Sequence, residues 1–281
     1  TELNIQVKST QHNKPILTDV FYTKNRIKKP VVIFCHGYKG FKDWGAWNIA
    51  ATEFASNKLF CLKFNFSHNG GTAENPINFP DLEAFGQNNF TTELNDLEDV
   101  INWITNKYEY IDEIDSTNIT LIGHSRGGGI VTLKASENNK ISKVISWAGV
   151  SDFGARFPKD EKILQYWKKE GVSYIENSRT KQQMPHYFQF YINFKENETR
   201  LTIKNAVQKL TIPHLIIQGE KDDVVLPVEA ENLHSWNPES TLVIIKEMNH
   251  SLGCTEPWRA PKMPVYLAEA VKESIDFILK K

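Results

Sequence analysis

Ile119-Thr120-Leu121-Ile122-Gly123-His124-Ser125-Arg126-Gly127-Gly128-Gly129 carries a β-type apolar run straight into a Gly-x-Ser-x-Gly pentad, and a helix-like segment, 126–137, leaves it. A serine at the tip of a sharp strand-to-helix turn is held at strained backbone angles, so that its hydroxyl stands clear of the sheet. Side chains two residues to either side would collide with neighbouring backbone, which is why Gly123 and Gly127 have none. The helix that follows points its first amides at the same place. Ser125 is therefore the candidate nucleophile.

Outward from this stretch the chain alternates strands with helices. Val31-Val32-Ile33-Phe34-Cys35 is a continuous apolar run, the mark of a strand buried on both faces. Leu59 to Phe66, Val144 to Trp147, His214 to Ile217 and Leu242 to Ile245 repeat that character. Residues 93–107 place Leu94, Leu97, Val100, Ile101 and Ile104 on one helical face, and 201–210, 228–236 and 265–279 are further helix candidates. Residues 3–9 and 16–23, split by a turn-rich stretch, predict an opening antiparallel pair. The pattern implies an α/β fold: a mostly parallel central sheet of about eight strands, with helices on both faces.

One region breaks the rhythm. Residues 151–195 hold ten aromatics but no clean buried strand. A structureless loop of that length is improbable in a compact domain. The expected organisation is one domain over 1–281, with a small, mainly helical cap inserted at 152–197.

A serine nucleophile needs a base, and the base needs an orienting acid. Of eight histidines, His250 comes just after the last core strand, in Lys246-Glu247-Met248-Asn249-His250-Ser251, where a loop opens onto the ligand-binding end of a parallel sheet. His12, His186 and His234 read as surface residues, His68 as part of a solvated loop, and His214 as the start of a buried strand. His124 packs beneath the turn, and His36 props its loop. For the acid, Ile216-Ile217-Gln218-Gly219-Glu220-Lys221-Asp222-Asp223 runs a strand into an acidic turn. Either aspartate could reach the imidazole, and the spacing from Gly219 favours Asp222 over Asp223. The oxyanion needs donors. The Arg126 amide and the Tyr38 amide, in the loop leaving Phe34-Cys35-His36-Gly37, are the expected pair.

Composition sets limits. Lys and Arg total 33 against 34 Asp and Glu, a net charge of −1, so no basic field exists to hold nucleic acid or an anionic membrane. No apolar run is long enough to span a bilayer. Three cysteines give no disulfide framework, which fits a cytoplasmic setting without demanding it. Cys254 lies four residues past His250, but a lone pair makes no zinc site. Neither a metal nor another cofactor is expected, and the expected partner is a small-molecule ester. The sequence sets no oligomeric state; a dimer is compatible with it.

These motifs resemble the α/β-hydrolase superfamily from His36-Gly37 to the C-terminal helix. Within it, His36 to Trp44, Phe64 to Gly70, Gly123 to Gly128 and Met248-Asn249-His250 resemble the single-domain group called dienelactone-hydrolase-like or serine-aminopeptidase-like, which includes cinnamoyl and feruloyl esterases. The resemblance implies an eight-stranded core with a cap after the sixth strand. True dienelactone hydrolases use a cysteine nucleophile, and Ser125 stands in that place here. The expected activity is serine-dependent carboxylic ester hydrolysis through an acyl-enzyme, on aromatic (hydroxycinnamoyl-type) or short acyl groups. The alternatives are a peptidase or amidase acting on short peptides or N-terminal residues, and a non-catalytic ligand-binding member of the fold.

Overall fold

A computed structural model describes residues 1–280. Ten strands form: β1 Glu2–Val7, β2 Ile16–Phe21, β3 Lys29–Cys35, β4 Phe60–Phe64, β5 Ile114–His124, β6 Ile141–Trp147, β7 Val172–Glu176, β8 Gln183–Tyr187, β9 His214–Gly219 and β10 Thr241–Ile245. The helices are α1 Trp47–Ser56, α2 Leu82–Gln87, α3 Phe90–Asn106, α4 Arg126–Glu137, α5 Glu161–Glu170, α6 Gln189–Glu196, α7 Glu198–Leu201, α8 Ile203–Lys209, α9 Pro227–Trp236 and α10 Val265–Leu279. Eight strands make one sheet in the order β1-β2-β4-β3-β5-β6-β9-β10. The pairs β1/β2 and β2/β4 are antiparallel, and every later pair is parallel.

The strand period of two splits the core between the two faces. In β3, Val31, Ile33 and Cys35 join Leu94, Leu97, Ile101 and Ile130, from α3 and α4, on one side. Val32 and Phe34 join Trp47 and Phe54 of α1 and Leu267 and Val271 of α10 on the other. Both layers are needed, because the central strands are apolar on both faces. The helix α3 starts at Asn89, whose side chain accepts from the Thr92 amide, an N-cap that satisfies one of the orphan donors of the first turn. Two helices, α1 and α2, were not among those expected; α1 buries Trp47, Ala50, Ala51 and Phe54 at helical spacing.

Between β6 and β9 the chain leaves the sheet and builds a 3-10 turn, α5, the hairpin β7/β8 and α6 before returning through α7 and α8. The segment is therefore less helical than expected. Gly171 ends α5 with φ of +74°, and the chain goes on as β7, four of whose five residues are exposed. A strand with no buried face gives no apolar alternation, and β8 carries a proline at 185.

Candidate active site

The expected elbow forms. Ser125 sits between β5 and α4 with φ of 56° and ψ of −120°, a left-handed conformation unfavourable to any residue with a Cβ. The turn persists because the backbone around it is crossed at contact distance. A Cβ on Gly123 would lie 2.1 Å from the Gly127 carbonyl oxygen, and one on Gly127 would lie 2.4 Å from that of Cys35. The Ser125 amide donates to the Trp147 carbonyl at 3.0 Å, and the Ser125 carbonyl accepts from Gly128 and Val150.

Parallel neighbours deliver the other two groups. β9 and β10 pair in register from Leu215↔Thr241 to Gly219↔Ile245, so the loops at their carboxyl ends leave side by side. The Lys221 amide donates to the Met248 carbonyl at 3.0 Å and ties the two loops together. As a result, His250 Nδ1 lies 2.9 Å from Asp222 Oδ2, and His250 Nε2 lies 3.0 Å from Ser125 Oγ. An ionised carboxylate only accepts, so Nδ1 carries the imidazole proton and Nε2 is left to accept from the serine hydroxyl. Asp222 has a fully buried side chain, whereas Asp223 is exposed. The Val224 and Val225 amides each donate to Asp222 Oδ1 at 2.9 Å, and Gln218 Nε2 donates to Oδ2 at 3.1 Å. Burial alone would raise the Asp222 carboxyl. The contact with His250 and the two amides outweigh it and hold the group below the ordinary carboxylate range.

The loop after β3 comes up against the elbow: a Cβ on Gly37 would be 2.9 Å from that of Ser125. His36 holds this loop from beneath. Its Nδ1 donates to the Gly37 carbonyl at 2.8 Å and its Nε2 accepts from the Phe66 amide at 3.3 Å. Both bonds need one neutral tautomer, and burial pushes the imidazole down to about 4. The loop is also anchored by a closed square of charges. Lys42 and Lys63 each contact Asp19 (2.8 and 2.6 Å) and Asp43 (2.6 and 2.5 Å). His124 packs below the elbow and donates from Nε2 to the His250 carbonyl at 2.8 Å. Burial first, and the neighbouring His250 second, push it down to about 3.

Three side chains that line the cavity beside Ser125 carried no signal in the sequence. His186, expected at the surface, is buried, and its Nε2 lies 2.6 Å from the Tyr38 hydroxyl. Burial, with the charges of Arg126 and Lys39, pushes it down to about 3. Its partner is 148 residues away, so no local signal marks it. The side chains of Tyr38 and Arg126 also line the cavity beside Ser125. His12 is also only part-exposed, its Nε2 3.1 Å from the buried Asp96.

Two cavities flank the serine. One, of about 530 Å³, is walled by Phe90, Phe153, Phe157, Trp167, Ile175 and Phe190 among others. The second, of about 220 Å³, has Lys39, Trp44, Asn177 and Arg179 in its walls. Among the described residues, no helix is long and apolar enough to cross a membrane.

Comparison with solved structures gives the fold an independent check. Est1E from Butyrivibrio proteoclasticus with ferulic acid bound superposes with a TM-score of 0.70 at 16% identity, over 99% of this chain and 100% of that one. DcsB in complex with its substrate analogue gives 0.72 at 16% identity, over 98% and 97%. A putative dienelactone hydrolase from Klebsiella pneumoniae gives 0.60 at 15% identity, over 98% and 97%. At such identities the likeness establishes an α/β-hydrolase architecture and nothing finer. No curated protein sequence matches the chain. A family model does match, over residues 18–237, more than three quarters of the chain and both the β3 loop and the elbow: the protein belongs to the BD-FAE family.

Proposed function

We propose that the protein is a serine carboxylic-ester hydrolase working through an acyl-enzyme. The observation that carries this reading is the unbroken row Asp222–His250–Ser125, with both hydrogen bonds at about 3 Å. Ser125 Oγ attacks the ester carbonyl while His250 Nε2 takes its proton, and Asp222 stabilises the imidazolium that forms. The oxyanion is received by the Tyr38 and Arg126 amides, neither of which donates to a protein acceptor among the described residues. His250 then protonates the departing alcohol, and water enters to repeat the sequence and release the acid.

The two cavities divide the substrate. The larger, aromatic-walled cavity takes the acyl group, and residues 152–197 close over it as a cap. Phe90 and Phe153 stack with ring centres 3.9 Å apart at its wall. Walls of this kind suit an aromatic or a short acyl group. The more polar cavity faces the alcohol. An ester is favoured over a peptide with a free amino terminus, because the charged groups lining the larger cavity are Arg126 and Arg156, and cations repel an ammonium. A panel of esters varied in acyl length and aromaticity, run beside aminoacyl nitroanilides with the Ser125→Ala protein as control, tests the proposal. Turnover of esters that vanishes in Ser125→Ala supports it; turnover of the anilides alone would replace it with the peptidase reading.

A further inference from the structure

The acyl-side cavity is mostly apolar but is lined by two cationic side chains, Arg126 and Arg156, and the proposed chemistry leaves the Arg126 guanidinium without a role. The Arg126 guanidinium carbon lies 4.4, 5.2 and 5.3 Å from the ring centres of Tyr38, Phe90 and Phe190, all cavity walls. Its side chain keeps 15% exposure. A guanidinium presents five N–H donors in a rigid fork. Among the described residues only Nη1 finds an acceptor, Glu93 Oε1 at 3.3 Å, a long bond made by one oxygen.

Glu93 is a poor match for this cation. Its other oxygen, Oε2, is buried without a partner. Burial raises its carboxyl above the ordinary range, against the opposing pull of Arg126. Among the described residues no acidic side chain lines the cavity, and its second arginine, Arg156, is already paired with Glu229. A planar cation flanked by three rings, with most of its fork open, suits a planar anion held by two parallel bonds.

Resting on the esterase reading above, we infer that the acyl group carries its own carboxylate, received by the Arg126 guanidinium, so that the substrates are half-esters of short dicarboxylic acids. The arm is short because Arg126 directly follows Ser125, and its guanidinium can stand no farther from the elbow than one arginine side chain. Tyr38 adds a second contact. With the proton of neutral His186 on Nε2, the Tyr38 oxygen accepts from it, and its hydroxyl is free to donate to the same carboxylate. The apolar walls then reject the alternative of an uncharged polar tail less than they reject a misplaced charge, which gives selectivity for chain length.

Methanol release from monomethyl glutarate is compared with that from methyl 5-methylhexanoate, a near-isostere in which an isopropyl group stands for the carboxylate. The native protein prefers the half-ester in kcat/KM by about tenfold or more, the worth of one charge-assisted contact. The preference is lost in Arg126→Met and in Arg126→Met/Glu93→Gln, the latter leaving no stranded buried carboxylate to unfold the site. It widens in Glu93→Gln, which frees the fork. A native protein indifferent between the esters, or a preference that survives both Arg126 variants, overturns the inference while leaving the esterase reading intact. Calorimetric titration of the Ser125→Ala protein with the two intact esters separates the failures. Selective binding of the half-ester without turnover in the native protein would keep the subsite and sink the esterase. Equal binding of the two esters would sink the subsite.

Discussion

Replacing Asp222 with asparagine changes a single atom type, and the surroundings dictate how the amide must turn. Two backbone amides donate to the Oδ1 position at 2.9 Å, so the asparagine oxygen has to stay there. Its NH2 then occupies the Oδ2 position, 2.9 Å from His250 Nδ1, where it can only donate. His250 is forced to accept at Nδ1 and to carry its proton on Nε2, pointing at Ser125. An imidazole in that tautomer cannot take the serine proton. The expected loss is about 10³–10⁴-fold in kcat, or about 4–5.5 kcal/mol of barrier. Only a small loss of stability is expected: the amide keeps the bonds from Val224 and Val225 and gives up the one that Gln218 Nε2 donates at the Oδ2 position. Initial rates on a 4-nitrophenyl ester, beside a urea titration of each variant, provide the assay. Asp223→Asn, at an exposed position, should stay within about twofold of the native rate, as a surface change away from the chemistry does. Full activity in Asp222→Asn, or an equal collapse in Asp223→Asn, would refute the assignment of the acid.

Three further outcomes follow from the same geometry. Gly127→Ala drives a methyl group to 2.4 Å from the Cys35 carbonyl oxygen and 2.6 Å from that of His36, and should cost soluble yield and reactivity towards a serine probe together. Lys63→Met removes one cation from the buried square with Asp19, Asp43 and Lys42. It should lower stability by about 3 kcal/mol in urea unfolding, and a Lys63→Met/Asp43→Asn pair should cost less than the sum of its parts. Acid should unfold the protein early. His36, His68, His124, His186 and His214 are held at about 3–4 in the fold, mainly by burial, against about 6.5 in the unfolded chain. The unfolded state then binds more protons between those limits, so stability falls as pH drops from about 6.5 towards 4. His12, raised chiefly by its bond to Asp96, works in the opposite sense. Urea midpoints measured across pH 4–8 check the sign.

The parts of the molecule legible in the sequence are those whose signal is local. The buried parallel strands betray themselves as apolar runs, and Gly123 and Gly127 mark backbone crossings that forbid a Cβ. Ser125, Asp222 and His250 stand at strand ends, where the fold itself dictates that loops converge. What stayed hidden depends on distant partners. His186 follows the polar run Lys181-Gln182-Gln183 in a stretch of mixed character and owes its burial to Tyr38 and the aromatic walls. The strand β7 exposes most of its residues, so alternation had nothing to report. The helix α1 had the signal, Trp47, Ala50, Ala51 and Phe54 at helical spacing, but two of those four residues are alanines that apolar patterning weighs lightly. The choice between Asp222 and Asp223 could not be fixed by spacing alone; it turns on which side chain the Val224 and Val225 amides and Gln218 enclose.

Covalent labelling of the intact protein by a fluorophosphonate, followed by peptide mass spectrometry, addresses the row of three side chains most directly. One adduct per chain on Ser125, absent from Ser125→Ala and strongly slowed in His250→Ala, is the result expected of a hydroxyl activated by the imidazole 3.0 Å away. A native protein that stays unlabelled, or carries the adduct on another residue, would contradict the account.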